Sequence, residues 1–176
     1  MTEPTAAGVL AALRARGATL ATAESLTGGM LAAHLVDVPG ASAVFRGGLV
    51  PYATDLKATL VGVDAGLLER LGPVAGEVAA ALAEGARGRC GADWGIGTTG
   101  VAGPDPQDGK PAGTVYVGLA GPDGNAVRAL HLDGDRAAIR AATVAAALAL
   151  LAERLDATPQ SGGKAPAAQG VSTSDA

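Results

Sequence analysis

Strands and helices are predicted to alternate along the first hundred residues, and this order restricts the fold more than any other feature of the chain. Segments of β character are followed by segments with helical apolar spacing, and two later strands are joined by Gly-Pro-Asp-Gly-Asn, which is typical of a hairpin. The predicted strands comprise residues 18–23, 43–52, 92–98, 114–120 and 126–132. The predicted helices comprise residues 5–16, 27–38, 55–60, 65–71, 74–89 and 135–155. We therefore expect an α/β fold, a three-layer α/β/α sandwich with a mostly parallel sheet and an antiparallel edge hairpin.

Small side chains must form the core of this sandwich. The 176 residues are enough for one domain, and 48% of them are hydrophobic but only 2% are aromatic. Alanine, valine, leucine and glycine therefore fill the interior, which favours close packing of helices on strands. We assign the domain to residues 1–157. Residues 158–176 are rich in Pro, Gly, Ser, Gln and Ala and bury too little apolar surface to offset their ordering entropy, so we expect a disordered tail without a function of its own.

Charge and residue usage exclude several classes of partner. The formal net charge of −4 argues against a nucleic-acid partner, which requires a basic surface. No apolar run is long enough to cross a bilayer and the N-terminus lacks a signal pattern, so we expect a cytoplasmic protein with no membrane partner. Cys90 is the single cysteine, and His34 and His131 lie far apart. We therefore expect no disulfide, no metal site and no bound cofactor.

One serine stands where a predicted strand meets a predicted helix. Ser25 follows the strand at residues 18–23, and open α/β sheets bind their ligands at the carboxyl ends of strands. The start of the next helix presents free N–H groups that favour an anion or a developing oxyanion. Gly28 and Gly29 add no Cβ that would block approach to this backbone. Ser25 is therefore a candidate nucleophile, although a serine here is equally suited to capping the helix.

A glycine pattern near residue 95 is rejected as a dinucleotide site. Residues 95–100 read Gly-Ile-Gly-Thr-Thr-Gly and match the G-x-G-x-x-G pattern. That pattern holds a pyrophosphate only when it opens a helix. Here the chain continues with Val-Ala-Gly-Pro-Asp-Pro, which cannot start a regular helix. We therefore do not expect a Rossmann-type cofactor site.

Three segments contain more polar side chains than packing of the core requires. The first is Glu24-Ser25-Leu26-Thr27-Gly28-Gly29, the second runs from Gly47 to Lys57, and the third runs from Thr98 to Tyr116. In this order and spacing they resemble the competence/damage-inducible CinA C-terminal domain family, the nicotinamide-nucleotide amidohydrolases. The resemblance extends from about residue 5 to residue 155.

The resemblance implies a reaction and a set of catalytic residues. The reaction is hydrolysis of the carboxamide of nicotinamide mononucleotide (NMN) to nicotinate mononucleotide and ammonia, in pyridine-nucleotide recycling and without a metal. The catalytic serine, tyrosine and lysine of the family fall on Ser25, Tyr52 and Lys57. The resemblance also implies a homo-oligomer, most simply a dimer. Many family members carry a preceding molybdopterin-binding-like domain with pyrophosphatase activity, for which 176 residues leave no room, so we expect no such activity here.

The implied residue set is chemically reasonable. An amide is a poor electrophile, so a serine nucleophile needs a base, and Ser–Lys pairs are a known solution. The lysine must be neutral to accept a proton, which burial or a nearby cation favours. Tyr52 could relay a proton or hold Lys57, and the two side chains would converge through a strand-to-helix turn. Taken alone, Lys57 would be a solvated lysine and Tyr52 a packing residue.

Further residues are candidates for binding the substrate. Arg136 lies in the segment Gly-Asp-Arg that matches the family before the last helix, and an arginine at a helix start is better explained by an anion such as the substrate phosphate. Arg46, beside Gly47 and Gly48, is a second phosphate candidate. Glu24 could orient the lysine or bind ribose hydroxyls. The remaining candidates are Thr27, which could also cap the helix, with Gly28, Gly29, Gly48, Thr99 and Gly100.

The chain departs from the family pattern beside the candidate catalytic residues. Leu26 stands where Cys is common, Ala53-Thr54 where Ser-Asn is usual, and Ala75 where Ser follows Val. Asp105-Pro106-Gln107-Asp108-Gly109 replaces a Gly-Gly loop. These changes remove nearby hydrogen-bonding groups, so they bear on substrate preference more than on reaction type. Two alternatives stay open: a Ser/Lys hydrolase of another carboxamide or ester, and a non-catalytic nucleotide-binding scaffold.

Overall fold

A five-stranded mixed sheet forms the centre of the molecule. In the computed structural model, which describes residues 4–157, the strands are β1 (Leu20–Glu24), β2 (Phe45–Leu49), β3 (Trp94–Gly100), β4 (Thr114–Gly121) and β5 (Gly124–His131). Their order across the sheet is β2-β1-β3-β4-β5. Strand β1 pairs in parallel with β2 and β3, whereas β4 is antiparallel to both β3 and β5. The predicted α/β class with an antiparallel edge hairpin is confirmed. The tail predicted at residues 158–176 lies outside the described residues.

Within residues 4–157, six α-helices flank the sheet. They are α1 (Ala6–Ala15), α2 (Met30–Val36), α3 (Thr54–Leu56), α4 (Ala65–Leu71), α5 (Gly76–Cys90) and α6 (Arg136–Ala157). A 3-10 turn at Ala41–Ala43 precedes β2, and a π-helical turn at Lys57–Val61 follows α3. Helix α2 begins three residues later than predicted, because Gly28 and Gly29 have φ angles of 56° and 93°. These left-handed conformations make a turn before the helix can start.

The two faces of the sheet are built from side chains of different size. On one face, large residues such as Leu20, Trp94 and Ile96 pack with α1, α2 and α6. On the other face, Ala21 and Ala23 pack with α5, the π-helical turn and the following segment. Side chains of β1 and β3 alternate between these faces, as the pleat of a strand requires. The result is the expected three-layer sandwich.

Glycine residues allow α5 to lie directly against the backbone of the sheet. A Cβ added to Gly97 would lie 2.3 Å from the carbonyl oxygen of Ala79 in α5, and one added to Gly118 would lie 2.1 Å from the same oxygen. Both distances are far shorter than any real contact of a Cβ atom. The segment Gly95–Gly100 lies wholly inside β3 and does not open a helix. Gly95 and Gly97 allow α5 to pack on the sheet, and Gly100 allows close pairing with β4. This agrees with the rejection of a dinucleotide site.

The candidate site is placed by the switch in strand order at β1. The chain leaves β1 to form β2 on one side and later returns to form β3 on the other. Connections that leave a parallel sheet in opposite directions open a crevice at the carboxyl ends of the strands. Ser25 directly follows β1, and Thr99 and Gly100 end β3, so the polar segments of the sequence meet at this crevice.

Candidate active site

A cavity of about 190 Å³ opens at the carboxyl ends of β1 and β3. Its lining includes three groups of residues: the candidate catalytic side chains, the end of β3, and the segments at Pro73–Val74 and Gly103–Gln107. Ser25 enters the cavity from β1, and its N–H donates to the carbonyl oxygen of Thr98 at 2.9 Å. This bond fixes the serine to the neighbouring strand. The predicted catalytic and substrate-binding residues that line the cavity are Ser25, Tyr52, Lys57, Thr99, Gly100 and Arg136.

Ser25 and Lys57 form a buried pair. The Nζ atom of Lys57 lies 3.0 Å from the Oγ atom of Ser25, and the lysine is only 1% exposed. The same Nζ atom donates to the carbonyl oxygens of Pro51 at 2.9 Å and Tyr52 at 3.3 Å. Burial lowers the pKa of Lys57 from 10.5 to about 8, because desolvation disfavours the ammonium form. A neutral amine has two N–H bonds and one lone pair. When the two carbonyls accept the N–H bonds, the lone pair is left to face the serine hydroxyl.

The backbone between β2 and α4 carries Lys57 into this position. The short helix α3 begins after an extended Ala53 and passes at once into the π-helical turn, whose first residue is Lys57. The wider π-helical turn ends at Val61 and is capped by Gly62, which has a φ of 91°. Turns of this type occur often at functional sites. The predicted strand-to-helix turn is therefore present, and it brings the lysine back to the carbonyls of the residues that precede it.

Tyr52 contacts Lys57 through its backbone and Arg136 through its side chain. Tyr52 is 57% exposed, and its phenol oxygen accepts a hydrogen bond from a terminal guanidinium nitrogen of Arg136 at 2.9 Å. The lysine is held by the Tyr52 carbonyl rather than by the phenol. A proton relay through the phenol stays a prediction.

Arg136 stands at the mouth of the cavity. It is the first residue of α6, and its other terminal nitrogen donates to the carbonyl oxygen of Gly103 at 2.9 Å. The side chain thus joins the loop after β3 to the loop that carries Tyr52. Its exposed position is compatible with the expected phosphate role, which stays a prediction.

Thr99 and Gly100 form the side of the cavity that belongs to β3. The hydroxyl of Thr99 donates to the carbonyl oxygen of Pro73 at 2.6 Å, so it holds the opposite wall. A Cβ at Gly100 would lie 2.7 Å from the carbonyl oxygen of Thr114, so the close pairing of β3 with β4 requires a glycine here. Both residues line the cavity as expected, and direct contact with a ligand stays a prediction.

Glu24 does not take either role predicted for it. Its side chain is completely buried, and its carboxylate accepts hydrogen bonds from the N–H groups of Gly29, Leu31 and Ala32 at 2.8–3.1 Å. Because Glu24 is the last residue of β1, its side chain reaches the N-terminus of α2 and not Lys57 or the cavity. The expectation that these helix N–H groups are free to bind an anion is also wrong, since the carboxylate already occupies them.

Thr27, Gly28 and Gly29 are also absent from the cavity lining. The hydroxyl of Thr27 is completely buried and shares a 2.7 Å hydrogen bond with that of Thr98. It does not cap α2, whose N-cap residue is Gly29. Gly28 and Gly29 form the left-handed turn described above, and the N–H of Gly29 is bound by Glu24. The roles predicted for these three residues are therefore corrected to structural ones.

Arg46, Gly48 and His34 lie away from the cavity. The side chain of Arg46 points to the C-terminus of α5, where it donates to the carbonyl oxygen of Cys90 at 2.5 Å, so a phosphate role is corrected. A Cβ at Gly48 would lie 2.8 Å from the hydroxyl of Thr22, so this glycine serves packing between β1 and β2. The strand pairing shifts by one residue at Arg46, which is the bulge suggested by the double glycine. His34 is exposed on α2 and lines a separate groove.

Two cationic side chains that bind main-chain carbonyls near the cavity were not predicted from the sequence. Arg140 donates to the carbonyl oxygens of Leu26 and Thr27, both at 2.9 Å. Lys110 donates to the carbonyl oxygens of Leu71, at 3.4 Å, and Val74, and so holds one wall of the cavity. Arg140 had one available signal: it lies one helical turn after Arg136 and therefore on the same side of α6. Lys110 lies within the third polar segment of the sequence, but no role was predicted for it.

The described part of the chain contains neither a membrane-spanning helix nor a cluster of metal-binding side chains. Within residues 4–157, no helix is both long enough and apolar enough to cross a membrane. In the same part of the chain, no group of three or more His, Cys, Asp or Glu side chains is arranged to hold a metal ion.

The fold and the site define a class of protein. A serine hydroxyl beside a buried lysine amine of lowered pKa, at the switch point of an α/β sheet, is a candidate Ser–Lys hydrolase site. The family model for the CinA C-terminal domain matches residues 2–155, and the chain belongs to this family.

Curated relatives agree with this assignment. A CinA-like protein of Frankia casuarinae is 56% identical over 153 residues, which are 87% of this chain and 35% of that protein. A CinA-like protein of Geobacter sulfurreducens is 48% identical over 143 residues, which are 81% of this chain and 35% of that protein. The chain thus spans about a third of the length of these relatives.

Solved structures of the superfamily share the fold. A CinA superfamily protein from Klebsiella pneumoniae aligns with a TM-score of 0.84 and 34% identity, covering 87% of this chain and 96% of that chain. The competence/damage inducible protein CihA from Agrobacterium tumefaciens aligns with a TM-score of 0.81 and 34% identity, covering 86% of this chain and 93% of that chain. The domain described here is therefore similar in extent to these solved chains.

Proposed function

We propose that this chain is a serine amidohydrolase that converts NMN and water to nicotinate mononucleotide and ammonia. The observation that carries the proposal is the 3.0 Å separation of the Ser25 hydroxyl from the buried amine of Lys57. A pKa of about 8 leaves a useful fraction of this amine neutral near physiological pH, as a general base requires. The substrate is taken from the family resemblance.

The reaction follows from this pair. Ser25 Oγ attacks the carboxamide carbon, its proton passes to Lys57 Nζ, and the C=O electron pair moves to the oxygen. Collapse of the tetrahedral intermediate breaks the C–N bond, and the protonated lysine gives its proton to the leaving nitrogen, so ammonia departs from an acyl-serine ester. Water then attacks the ester, again giving a proton to Lys57, and nicotinate mononucleotide leaves as the serine is restored.

The position of Arg136 supports the proposal that the substrate carries a phosphate. It lies at the mouth of the cavity and carries the positive charge that a substrate phosphate requires. Its two present partners, the Tyr52 phenol and the Gly103 carbonyl, are neutral acceptors. An incoming phosphate dianion would compete well with such acceptors, because charge-assisted hydrogen bonds are stronger.

The test is release of ammonia and nicotinate mononucleotide from NMN in the presence of a chelator. We expect turnover by the wild type, with kcat/KM rising through pH 8 as Lys57 loses its proton, and a loss of at least about 10³-fold in Ser25→Ala. Normal turnover by Ser25→Ala would remove the nucleophile assignment. No product from the wild type, with tight NMN binding, would favour the nucleotide-binding scaffold instead.

A second assay tests the phosphate role. We expect Arg136→Gln to raise KM for NMN by about 10- to 100-fold, since a hydrogen bond to a charged group contributes about 1.5–3 kcal/mol. With nicotinamide riboside, which lacks the phosphate, the same variant should change KM by less than about threefold. Equal effects on the two substrates would contradict the proposal.

We further propose a cytoplasmic homodimer, as the family resemblance implies. Light scattering on the purified chain tests the oligomeric state, and a mass of one chain at micromolar concentration would reject the dimer.

A further inference from the structure

The two peptide units after Ser25 have their carbonyl groups bound and their N–H groups unpaired. The Ser25 carbonyl oxygen accepts from the N–H of Gly28 at 3.0 Å, and that of Leu26 accepts from Nε of Arg140 at 2.9 Å. Within residues 4–157, no protein atom accepts a hydrogen bond from the N–H of Leu26 or Thr27. Both residues are nonetheless buried, at 4% and 0% exposure. Buried N–H groups without a partner are rare in proteins, so an adjacent pair requires an explanation.

Peptide geometry determines where these N–H groups point. In a trans peptide unit the C=O and N–H bonds point in opposite directions. The N–H of Leu26 therefore points away from Gly28, and the N–H of Thr27 points away from the guanidinium of Arg140. Leu26 lines the cavity together with Ser25. The N-terminus of α2 is not an alternative donor, because the Glu24 carboxylate occupies it.

We propose that the N–H group of Leu26 binds the oxyanion formed when Ser25 attacks the carboxamide, and that Arg140 is a positioning residue for this oxyanion site. The proposal rests on the proposed function, which makes Ser25 the nucleophile. A donor on the residue directly after a nucleophile is well placed to receive the negative charge that develops on the carbonyl oxygen.

Arg140 acts through the backbone. Its Nε holds the Leu26 carbonyl and its terminal nitrogen holds the Thr27 carbonyl, both at 2.9 Å. The planar guanidinium can hold two successive carbonyls at once, which a lysine ammonium does less well. Arg140 does not line the cavity, so a contact with the substrate is not part of this role.

The first test compares Arg140→Lys and Arg140→Gln with the wild type. We measure kcat and KM for NMN and the rate at which a fluorophosphonate labels Ser25, whose phosphonyl oxygen would occupy the same oxyanion site. We expect kcat and the labelling rate to fall together, by about 100-fold in Arg140→Gln and by about 10-fold in Arg140→Lys, with KM within about twofold. The pH midpoint of labelling should not move, because Lys57 is not displaced.

A purely structural role for Arg140 would give a different pattern. It would change KM and the pH midpoint along with kcat, because a displaced Ser25 turn disturbs binding and Lys57 as well. That pattern, or a kcat and labelling rate within twofold of wild type, would overturn the proposal. Arg128→Gln is the matched control: it removes an exposed ion pair with Glu153 of α6, and kcat should stay within about twofold.

A second test removes a donor without changing a side chain. Incorporation of the α-hydroxy acid counterpart of leucine at Leu26 replaces the N–H by an ester oxygen. We expect kcat and the labelling rate to fall by about 100-fold, which is typical for loss of one oxyanion donor. Unchanged rates would overturn the assignment of this N–H even if the Arg140 variants are unstable.

Failure of the proposed function gives a distinct result. If the wild type does not hydrolyse NMN but the fluorophosphonate labels Ser25, the substrate is wrong, and the labelling rates of the variants still decide the oxyanion site. If the wild type is not labelled at all, Ser25 is not an activated nucleophile and the oxyanion proposal is overturned with it.

Discussion

Replacing Lys57 by methionine should change the pH dependence of stability as well as abolish catalysis. The amine is 1% exposed in the folded protein, and burial lowers its pKa from 10.5 to about 8. In the unfolded chain the amine regains its ordinary pKa. Between pH 8 and pH 10.5 the unfolded chain therefore binds more protons than the folded protein, and the free energy of unfolding rises with pH across this window.

The size of the effect follows from the lowered pKa. At 1.36 kcal/mol for each pKa unit, a change from 10.5 to about 8 corresponds to about 3.4 kcal/mol in total. Between pH 7 and pH 9, the free energy of unfolding of the wild type rises by about 1.3 kcal/mol of this total. Lys57→Met has no group that titrates at this position. The variant also leaves the Pro51 and Tyr52 carbonyls without their donor, but that loss does not depend on pH.

Urea unfolding of both proteins at pH 7, 8 and 9 measures this difference. We expect the stability of Lys57→Met relative to wild type to decrease by about 1.3 kcal/mol from pH 7 to pH 9. Taking the difference cancels the titration of other groups. Ser25→Ala is the matched control, because it keeps the lysine buried and should follow the wild type. If the stability difference between Lys57→Met and wild type stays constant within about 0.3 kcal/mol from pH 7 to pH 9, the argument that burial lowers the pKa of Lys57 is refuted.

Two further predictions concern the fold. Gly97→Ala should lower the free energy of unfolding by at least about 2 kcal/mol, because the new Cβ would lie 2.3 Å from the Ala79 carbonyl oxygen. Gly88 lies on α5 with open space around it, so Gly88→Ala should raise the free energy of unfolding by about 0.5–1 kcal/mol. Similar effects of the two in urea unfolding would contradict the packing argument. Glu24→Gln should cost about 2 kcal/mol or more because three N–H groups lose a carboxylate, while Glu153→Gln in an exposed ion pair should cost less than about 1 kcal/mol. A thermal or urea comparison that finds equal losses would show that the buried carboxylate does not stabilise α2.

The order of helices and strands could be predicted from the sequence because its signals are local. Helix α4 begins and ends where it was predicted, at residues 65–71, and the β4–β5 hairpin follows from its turn residues. The start of α2 was misplaced because the two glycines before it were taken as helical, although glycine readily adopts the left-handed conformation that delays a helix. Helix boundaries depend on such single conformations more than on periodicity.

The site could be predicted only in part. The segment order and the family resemblance located Ser25 and Lys57, and the structure places them in contact. Glu24 and Arg46 were misassigned because proximity to a motif in sequence does not determine the direction of a side chain. Arg140 was missed because its partners are main-chain carbonyls more than a hundred residues away, and no local pattern marks such a contact.

The polar side chains around the cavity bind mostly main-chain carbonyls, and this bears on how the chain departs from its family pattern. Lys57 is oriented by two carbonyls, Arg140 holds the turn after Ser25 by two more, and Lys110 and Thr99 hold the opposite wall by the same kind of contact. A carbonyl acceptor does not depend on which side chain its residue carries. Substitutions at neighbouring positions can therefore alter the groups offered to a substrate while the Ser–Lys geometry is preserved. The departures at Leu26, Ala53, Thr54 and Ala75 are of this kind, so substrate preference is the property most open to change.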